Sequence, residues 1–341
     1  FIIFGYFFSK YLLLIFNKSK FNLLVDNQFN KPQAFHENPT YRLGGIIVFS
    51  LLILFFLYSY FSRNFFFSDY ISFCILFFLL GLLDDLKVNV APKFRLLTMI
   101  ASLTALIIFN DINIKKTGLD FLDNLVAIDI FSLIFICLCF LFIINGSNLI
   151  DGFNGLLGIH SLIIFIVLFA INFLGKNTDL IYILFYASLI TLIFLKFNFP
   201  KAQIFLGDSG AYIIGILIAI SVIKTSNFNS SISPFFFCIL LFYLFFEVFF
   251  SFFRKLIKER TSPVHPDEKH LHMLLYKILL KKNNNKLKSN YYVSVIINAV
   301  FLMLTIPAIF MMKNGMFCKY YSVLFFVTYI FSYKVAYEKI K

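Results

Sequence analysis

The sequence predicts an all-α, polytopic integral membrane protein of about eleven transmembrane helices. Two observations carry that reading: the composition and the lengths of the apolar runs. Of 341 residues, 60% are hydrophobic and 14% charged, and the mean hydropathy is +0.88. A soluble globular domain is roughly half apolar and about 25% charged. A bilayer core asks for about 20 consecutive apolar residues in a helix, and runs of that order recur along the whole chain. These features exclude an ordinary cytosolic enzyme, a disordered chain and a nucleic-acid-binding module. A membrane β-barrel is excluded as well, because no ten-residue alternating pattern repeats and open sheet edges do not survive in lipid. No internal repeat is visible.

Taken in order, the runs are 1–16, 43–61, 67–83, 96–110, 127–144, 156–174, 180–196, 211–223, 234–253, 291–312 and 317–335. The first opens on Phe1 rather than Met, which reads as missing N-terminal residues, and it lacks the basic n-region and cleavage motif of a complete signal peptide. The second opens on Leu43-Gly44-Gly45, and the third ends at Asp84-Asp85. The fourth follows Lys93 and Arg95, and the fifth leads into Asn145. Runs six to eight are separated by Gly175–Asp179 and by a polar stretch ending Asp208-Ser209-Gly210. The ninth stops at Arg254, and Lys313–Met316 divides the last two. Several runs fall short of a full span, so the loop residues beside them complete their ends. The five cysteines, Cys74, Cys137, Cys139, Cys238 and Cys318, all lie in apolar runs, which argues against a disulfide framework or a zinc site. With 51 Phe and no Trp, codon bias explains much of the aromatic content, and Phe identity alone says little.

Orientation follows from the basic residues. The odd-numbered loops, the span ends beside them and the C-terminal tail carry 22 of the 30 Lys and Arg; their even-numbered counterparts carry seven, and Lys10 lies inside the first run. By the positive-inside rule the odd loops are cytoplasmic, the N-terminus is outside and the C-terminus is cytoplasmic. The net charge of +13 is thereby assigned to cytoplasmic loops rather than to a nucleic-acid partner. The chain reads as a single membrane-embedded domain, 1–341, whose cytoplasmic loops 17–42, 84–95, 145–155, 197–210 and 254–290 form one active site.

Every dense polar constellation falls in those five loops, whereas the even loops are short and plain. A transporter places its key groups near the midplane on broken helices with access from both sides. An enzyme joining a soluble cytoplasmic substrate to a lipid one concentrates them on one face. Asp84, Asp85, Asp151 and Asp208 each sit where an apolar run meets a loop, and carboxylates there suit Mg²⁺, with Mn²⁺ as the alternative ion. His36, His270 and His272, with Arg42, Lys93, Arg95, Arg254 and Arg260, supply cationic groups for phosphates. Together they read as a metal-dependent phosphoryl-transfer site. Each signal alone has a plainer explanation: a solvated helix end, an Asn/Asp/Gly turn, a helix cap. The coincidence of five on one face outweighs those. Glu247, inside the ninth run, is the main feature that would suit the other class, a multi-pass transporter or lipid flippase. A buried Glu bonded to a neighbouring helix is the plainer account of it.

Five motifs then stand in a recognisable order: Pro39-Thr40-x-Arg42-x-Gly44-Gly45; Gly81-x-x-Asp84-Asp85; Asn145-x-x-Asn148-x-x-Asp151-Gly152; Asn198 through Phe205-x-Gly207-Asp208-x-Gly210; and Pro266-Asp267-x-x-His270-Leu271-His272. Over about residues 26–276 the sequence resembles the polyprenyl-phosphate N-acetylhexosamine-1-phosphate transferase superfamily. The resemblance implies transfer of a sugar-1-phosphate, with Mg²⁺, from a UDP-N-acetylhexosamine to undecaprenyl phosphate, releasing UMP. It implies a multi-pass protein of the bacterial cytoplasmic membrane with its active site facing the cytoplasm. Carried over by motif, Asp208 is the principal metal ligand, and Asp151 with Asn148 serves the donor diphosphate and metal. Asp84 and Asp85 handle the lipid phosphate, one of them as a general base. Phe205 and Asn198 wall the uracil, Asn145 and Asn154 belong to the donor site, and His270 and His272 lie near the donor phosphates. Direct attack and an enzyme intermediate both stay open, as does a homodimer.

Departures from the family pattern narrow the branch. Asn154 stands where many members have a second Asp, Ala211 replaces the usual Ser, and Met273 stands where many have a third His. The missing His and the eleven runs favour the branch that transfers GlcNAc 1-phosphate to start O-antigen, teichoic acid or capsule over the muramoyl-pentapeptide branch.

Overall fold

All eleven apolar runs fold as helix. The computed structural model describes residues 1–19, 24–27, 39–88, 90–262 and 267–341. In chain order the elements are α1 (Ile2–Ser19), the two-residue strands β1 (Val25–Asp26) and β2 (Thr40–Tyr41), α2 (Gly44–Arg63), α3 (Ser68–Asp85), α4 (Pro92–Phe109), α5 (Asp120–Val126), α6 (Asp129–Ile150), α7 (Leu156–Gly175), α8 (Thr178–Asn198), α9 (Gly207–Phe228), α10 (Pro234–Leu240), α11 (Phe242–Phe253), a π-helical turn (Arg254–Glu259), α12 (Leu271–Asn283), α13 (Lys286–Phe310) and α14 (Gly315–Ile340). Local chemistry marks many of the ends. Asn177, Asn285 and Asn314 accept the N–H three residues on and so cap α8, α13 and α14. Pro92 and Pro234 sit in first turns, where no N–H is missed.

Among the described residues, eight helices are long and apolar enough to cross a bilayer, or nine if α10 and α11, bent by 72°, form one span. The sequence predicts about eleven. The remaining two runs are α1 and α3, each 18 residues long: α1 contains Lys10 and Lys18, and α3 contains Asp69, Asp84 and Asp85. Polar and charged residues, not a lack of helix, set these two apart from the more apolar spans.

α9 is the axis of the bundle. It packs against α3, α6, α2 and α7 and is the most buried of the candidate spans, while α4 and α14 are the least. The end of α3 meets the start of α9, so their opposite ends meet too: Asp69 near the start of α3 pairs with Lys224 near the end of α9. Tyr70 reinforces that end through a 3.0 Å hydrogen bond with Ser221. β1 and β2 pair antiparallel (Val25 with Tyr41, Asp26 with Thr40), and Tyr41 also bridges to Ile204. That small sheet fastens the loop before α2 to the loop before α9. The Phe205 N–H donates to the Tyr41 carbonyl at 2.8 Å, and the N–H groups of Gly44 and Gly45 donate to the carbonyls of Phe205 and Leu206.

Candidate active site

The site is built around the first turn of α9. A helix start leaves N–H groups without intrahelical acceptors, and here carboxylates from two other segments supply them. Asp85 Oδ1 accepts from the Asp208 N–H at 2.9 Å. Its Oδ2 accepts from the Ser209 N–H at 3.0 Å and from the Ser209 hydroxyl at 2.6 Å. Both oxygens of a fully buried carboxylate are thus engaged. Gly207 makes this approach feasible. Its φ is +76°, and a Cβ there would lie 2.6 Å from Asp85 Oδ1, so a side chain would be strained and would also push the cap away. Gly81, one turn before Asp85, lets the two backbones meet, since a Cβ on it would fall onto Ser209.

Around this cap the charges alternate. Arg95 Nη1 donates to Asp84 Oδ2 at 2.9 Å and lies 3.5 Å from Asp208 Oδ2. Arg42 pairs with Asp26 at 2.7 Å and approaches Asp85 Oδ1 at 3.5 Å. Asp151 caps the C-terminus of α6. Burial, and then the neighbouring charges of Asp208 and Asp85, push its carboxyl well above the usual range. Among the described residues no three carboxylate, imidazole or thiol groups converge tightly enough to hold a metal by themselves. The donor set still fits a hard cation, which commonly takes one or two protein carboxylates and completes its shell with phosphate and water. Asp151 and Asp208 are crowded by like charge, whereas Asp85 is committed to the cap and Asp84 to Arg95.

The motif asparagines divide into two groups. Asn145 and Asn148 are half-buried on α6, three residues apart on the face that leads to Asp151; Asn145 donates to the Leu141 carbonyl at 2.8 Å. Asn154 and Asn198 are buried and used internally. Asn198 Oδ1 accepts from the Gly155 N–H at 2.6 Å and its Nδ2 donates to the Ile204 carbonyl at 2.9 Å. Asn154 donates to the Pro200 carbonyl and its N–H meets Asn290 Oδ1. These two residues tie the 151–155 loop to the segment that leads into Phe205, which is half-buried. Lys93 and Arg260 are exposed, Lys93 in the first turn of α4 and Arg260 just after the π-helical turn. His36 lies outside the described residues, as do Pro263 to Pro266.

His270 and His272 are buried in a second cluster rather than in the carboxylate ring. His270 Nδ1 is 3.0 Å from Glu247 Oε2, and His272 Nδ1 is 3.2 Å from the Tyr243 hydroxyl. Burial pushes the His272 imidazole below its ordinary value. Arg254 joins Asp267 at 2.7 Å and Glu259 at 2.8 Å, and Lys269 closes on Glu259 at 2.8 Å. The Glu247 carboxylate, on which a transport reading would rest, is therefore bonded within the fold. Its cluster reaches the first one through Phe153, whose ring meets His272 edge-on at 5.6 Å. Sequence reasoning passed over Ser209, Asp26 and Tyr243. Only the Gly-Asp-Ser-Gly helix start hinted at Ser209, and nothing local marks the others.

Comparison with known proteins bears on what such a site belongs to. The family model described as Glycosyl transferase family 4 matches residues 67–226. A phospho-N-acetylmuramoyl-pentapeptide-transferase of Dictyoglomus thermophilum is 33% identical over 241 residues, covering 68% of this chain and 74% of that protein. The chain belongs to glycosyl transferase family 4. Within this family of sugar-phosphate transferases its relatives carry two kinds of name. An undecaprenyl-phosphate alpha-N-acetylglucosaminyl 1-phosphate transferase of Thermotoga maritima is 27% identical over 234 residues, 67% of this chain and 66% of that protein. A probable undecaprenyl-phosphate N-acetylglucosaminyl 1-phosphate transferase of Bacillus subtilis is 25% identical over 252 residues, 73% of this chain and 68% of that protein. The chain thus spans about two thirds of the length of the Thermotoga protein. Family membership agrees with the superfamily its motifs resemble, and it places the carboxylate cluster inside the matched segment.

Proposed function

We propose that the protein transfers an N-acetylhexosamine 1-phosphate from its UDP-linked donor to undecaprenyl phosphate at the cytoplasmic face of a bacterial inner membrane. The P–O bond joining the sugar-bearing phosphorus to UMP breaks, and a P–O bond to the lipid phosphate forms. The observation that supports this most is the gathering of Asp84, Asp85, Asp151 and Asp208 with Arg42 and Arg95 at one helix start.

Asp208 and Asp151 are the residues to hold Mg²⁺ or Mn²⁺. Bound there, the ion neutralises diphosphate charge and stabilises the leaving UMP. Asp84 and Arg95 stand together at the rim: the guanidinium draws in the lipid phosphate, and the Asp84 carboxylate sets its orientation and accepts a proton if the phosphate arrives protonated. Asp85 supports Asp208 from behind through the cap. Asn148, one turn before Asp151, reaches the donor diphosphate, and Asn145 extends that polar face. Phe205 stacks on the uracil, in a loop held by Asn198 and Asn154. Arg42, Lys93, Arg260 and His36 supply further positive charge for phosphates. GlcNAc or a derivative remains the proposed sugar, argued now from Met273 in place of a third His, because the count of spans no longer separates the branches.

The test is a radiolabel assay of the purified protein with a panel of UDP-N-acetylhexosamines, undecaprenyl phosphate and Mg²⁺. The expected result is labelled polyprenyl-diphospho-sugar with equimolar UMP. No UMP release with any donor overturns the reading.

A further inference from the structure

Glu247 is fully buried in the apolar stretch of α11, where an unpaired carboxylate is costly, and the reaction above gives it no task. Its oxygens face two imidazoles. Oε2 hydrogen-bonds His270 Nδ1 at 3.0 Å, and Oε1 stands 3.6 Å from His272 Nδ1, beyond hydrogen-bond distance. Tyr243, one helical turn earlier, places its hydroxyl 3.2 Å from that same His272 nitrogen. The two rings lie 5.5 Å apart with 9° between their planes. On its far side His270 Nε2 is 3.4 Å from Asp267 Oδ1. Three of the four ring nitrogens therefore face protein oxygens. The fourth, His272 Nε2, is buried without a hydrogen-bond partner among the described residues, on the ring that meets Phe153, two residues past Asp151. Glu247 Oε1 is likewise without a hydrogen-bond partner among the described residues, but it faces His272 Nδ1, whereas His272 Nε2 faces none of these oxygens; a buried polar atom left so calls for a ligand.

We propose that Glu247 is a positioning residue: it holds His270 through Nδ1 and, together with Tyr243, faces Nδ1 of His272, so that His272 Nε2 is the polar atom presented to the donor's phosphates beside the 151–155 loop. A carboxylate facing one imidazole nitrogen sets which tautomer the ring adopts and what its other nitrogen can do. The proposal rests on the transferase reading of the site.

The experiment uses the full chain in nanodiscs with ¹⁵N-labelled histidine. The chain has five histidines, so the imidazole spectrum is small enough to assign with His270→Asn and His272→Asn. Wild-type protein should show Nδ1-protonated rings at both positions, and Glu247→Gln should alter them. In the transfer assay Glu247→Gln should lower kcat/KM for the UDP-sugar about 10- to 100-fold, the usual scale for a partner that orients a functional histidine. KM for undecaprenyl phosphate should stay unchanged, and Glu247→Asp should recover part of the loss. Glu247→Gln added to His272→Asn should cost little more than His272→Asn alone. If Glu247→Gln fails to assemble, Glu247→Asp carries the same readouts, since it keeps the charge and shortens the arm. Losses that multiply in the double variant, or wild-type spectra and kinetics in the single one, overturn the proposal. Wild-type protein that transfers nothing overturns the reaction itself, while the spectra still report whether Glu247 holds the rings.

Discussion

Replacing Asp85 by Asn separates a structural task from a chemical one. The carboxylate accepts three hydrogen bonds on the α9 start, one at Oδ1 and two at Oδ2, at 2.6 to 3.0 Å. A carboxamide has one oxygen, so its NH₂ must face either the Asp208 N–H or the Ser209 N–H, donor against donor. One or two charge-assisted bonds are lost, each worth about 1.5–3 kcal/mol, and the attraction to Arg42 at 3.5 Å goes with them. The expected destabilisation is about 2–5 kcal/mol. Ser209→Ala removes the hydroxyl bond alone and should cost about 1–2 kcal/mol. Thermal unfolding in nanodiscs should therefore rank wild type above Ser209→Ala above Asp85→Asn, with transfer activity falling in the same order. An Asp85→Asn protein with wild-type Tm and no turnover would refute the cap and return Asp85 to the chemistry.

Asp208→Asn should abolish transfer with Tm nearly unchanged, because its backbone N–H still reaches Asp85 while the charge a hard cation needs is gone; near-wild-type turnover would remove Asp208 as a ligand. Phe205→Ala should raise donor KM by the equivalent of about 1–3 kcal/mol of stacking and leave KM for the lipid alone, and an unchanged donor KM sinks the stacking role. Gly207→Ala should cost about 1–2 kcal/mol in backbone strain and more through contact with Asp85, measured as Tm; a neutral outcome would mean that the helix start can relax. Cysteine at exposed Ser262, with the five native cysteines replaced, should resist an impermeant thiol reagent in intact cells and react in inverted vesicles, and labelling from outside would reverse the topology.

Much of the architecture was legible because lipid imposes long apolar helices, and all eleven runs appear as helices. Their status as spans was less legible: α1 and α3 carry charges that local hydropathy weighs against insertion. At the site, the motif spacing located the carboxylates but not their division of labour. Asp84 and Asp85 are neighbours in sequence, yet one meets Arg95 and the other the backbone of α9, 123 residues away. Asn154 and Asn198 look like ligand groups in the sequence because Asn in a loop has free polar atoms until another loop arrives. Here Ile204, Gly155 and Pro200 take those atoms up. Glu247 and His270 are 23 residues apart on different elements, and no local pattern announces their pairing.

The glycine contacts around α9 also bear on motion. Gly44 would place a Cβ 2.6 Å from the Leu206 backbone, and Gly45 one 2.6 Å from the Gly210 nitrogen, so α2 touches the start of α9 main chain to main chain, as α3 does at Gly81. Helices in such contact cannot slide or rotate past each other without first separating, and interiors packed this closely shift between discrete arrangements rather than deform gradually. The carboxylates anchored there form a stationary floor. Any rearrangement that admits a substrate on the microsecond-to-millisecond scale of loop and domain motions falls to segments outside that contact, and relaxation measurements on Gly45, Gly81 and Ser209 would find the most rigid part of the molecule beneath the carboxylate cluster.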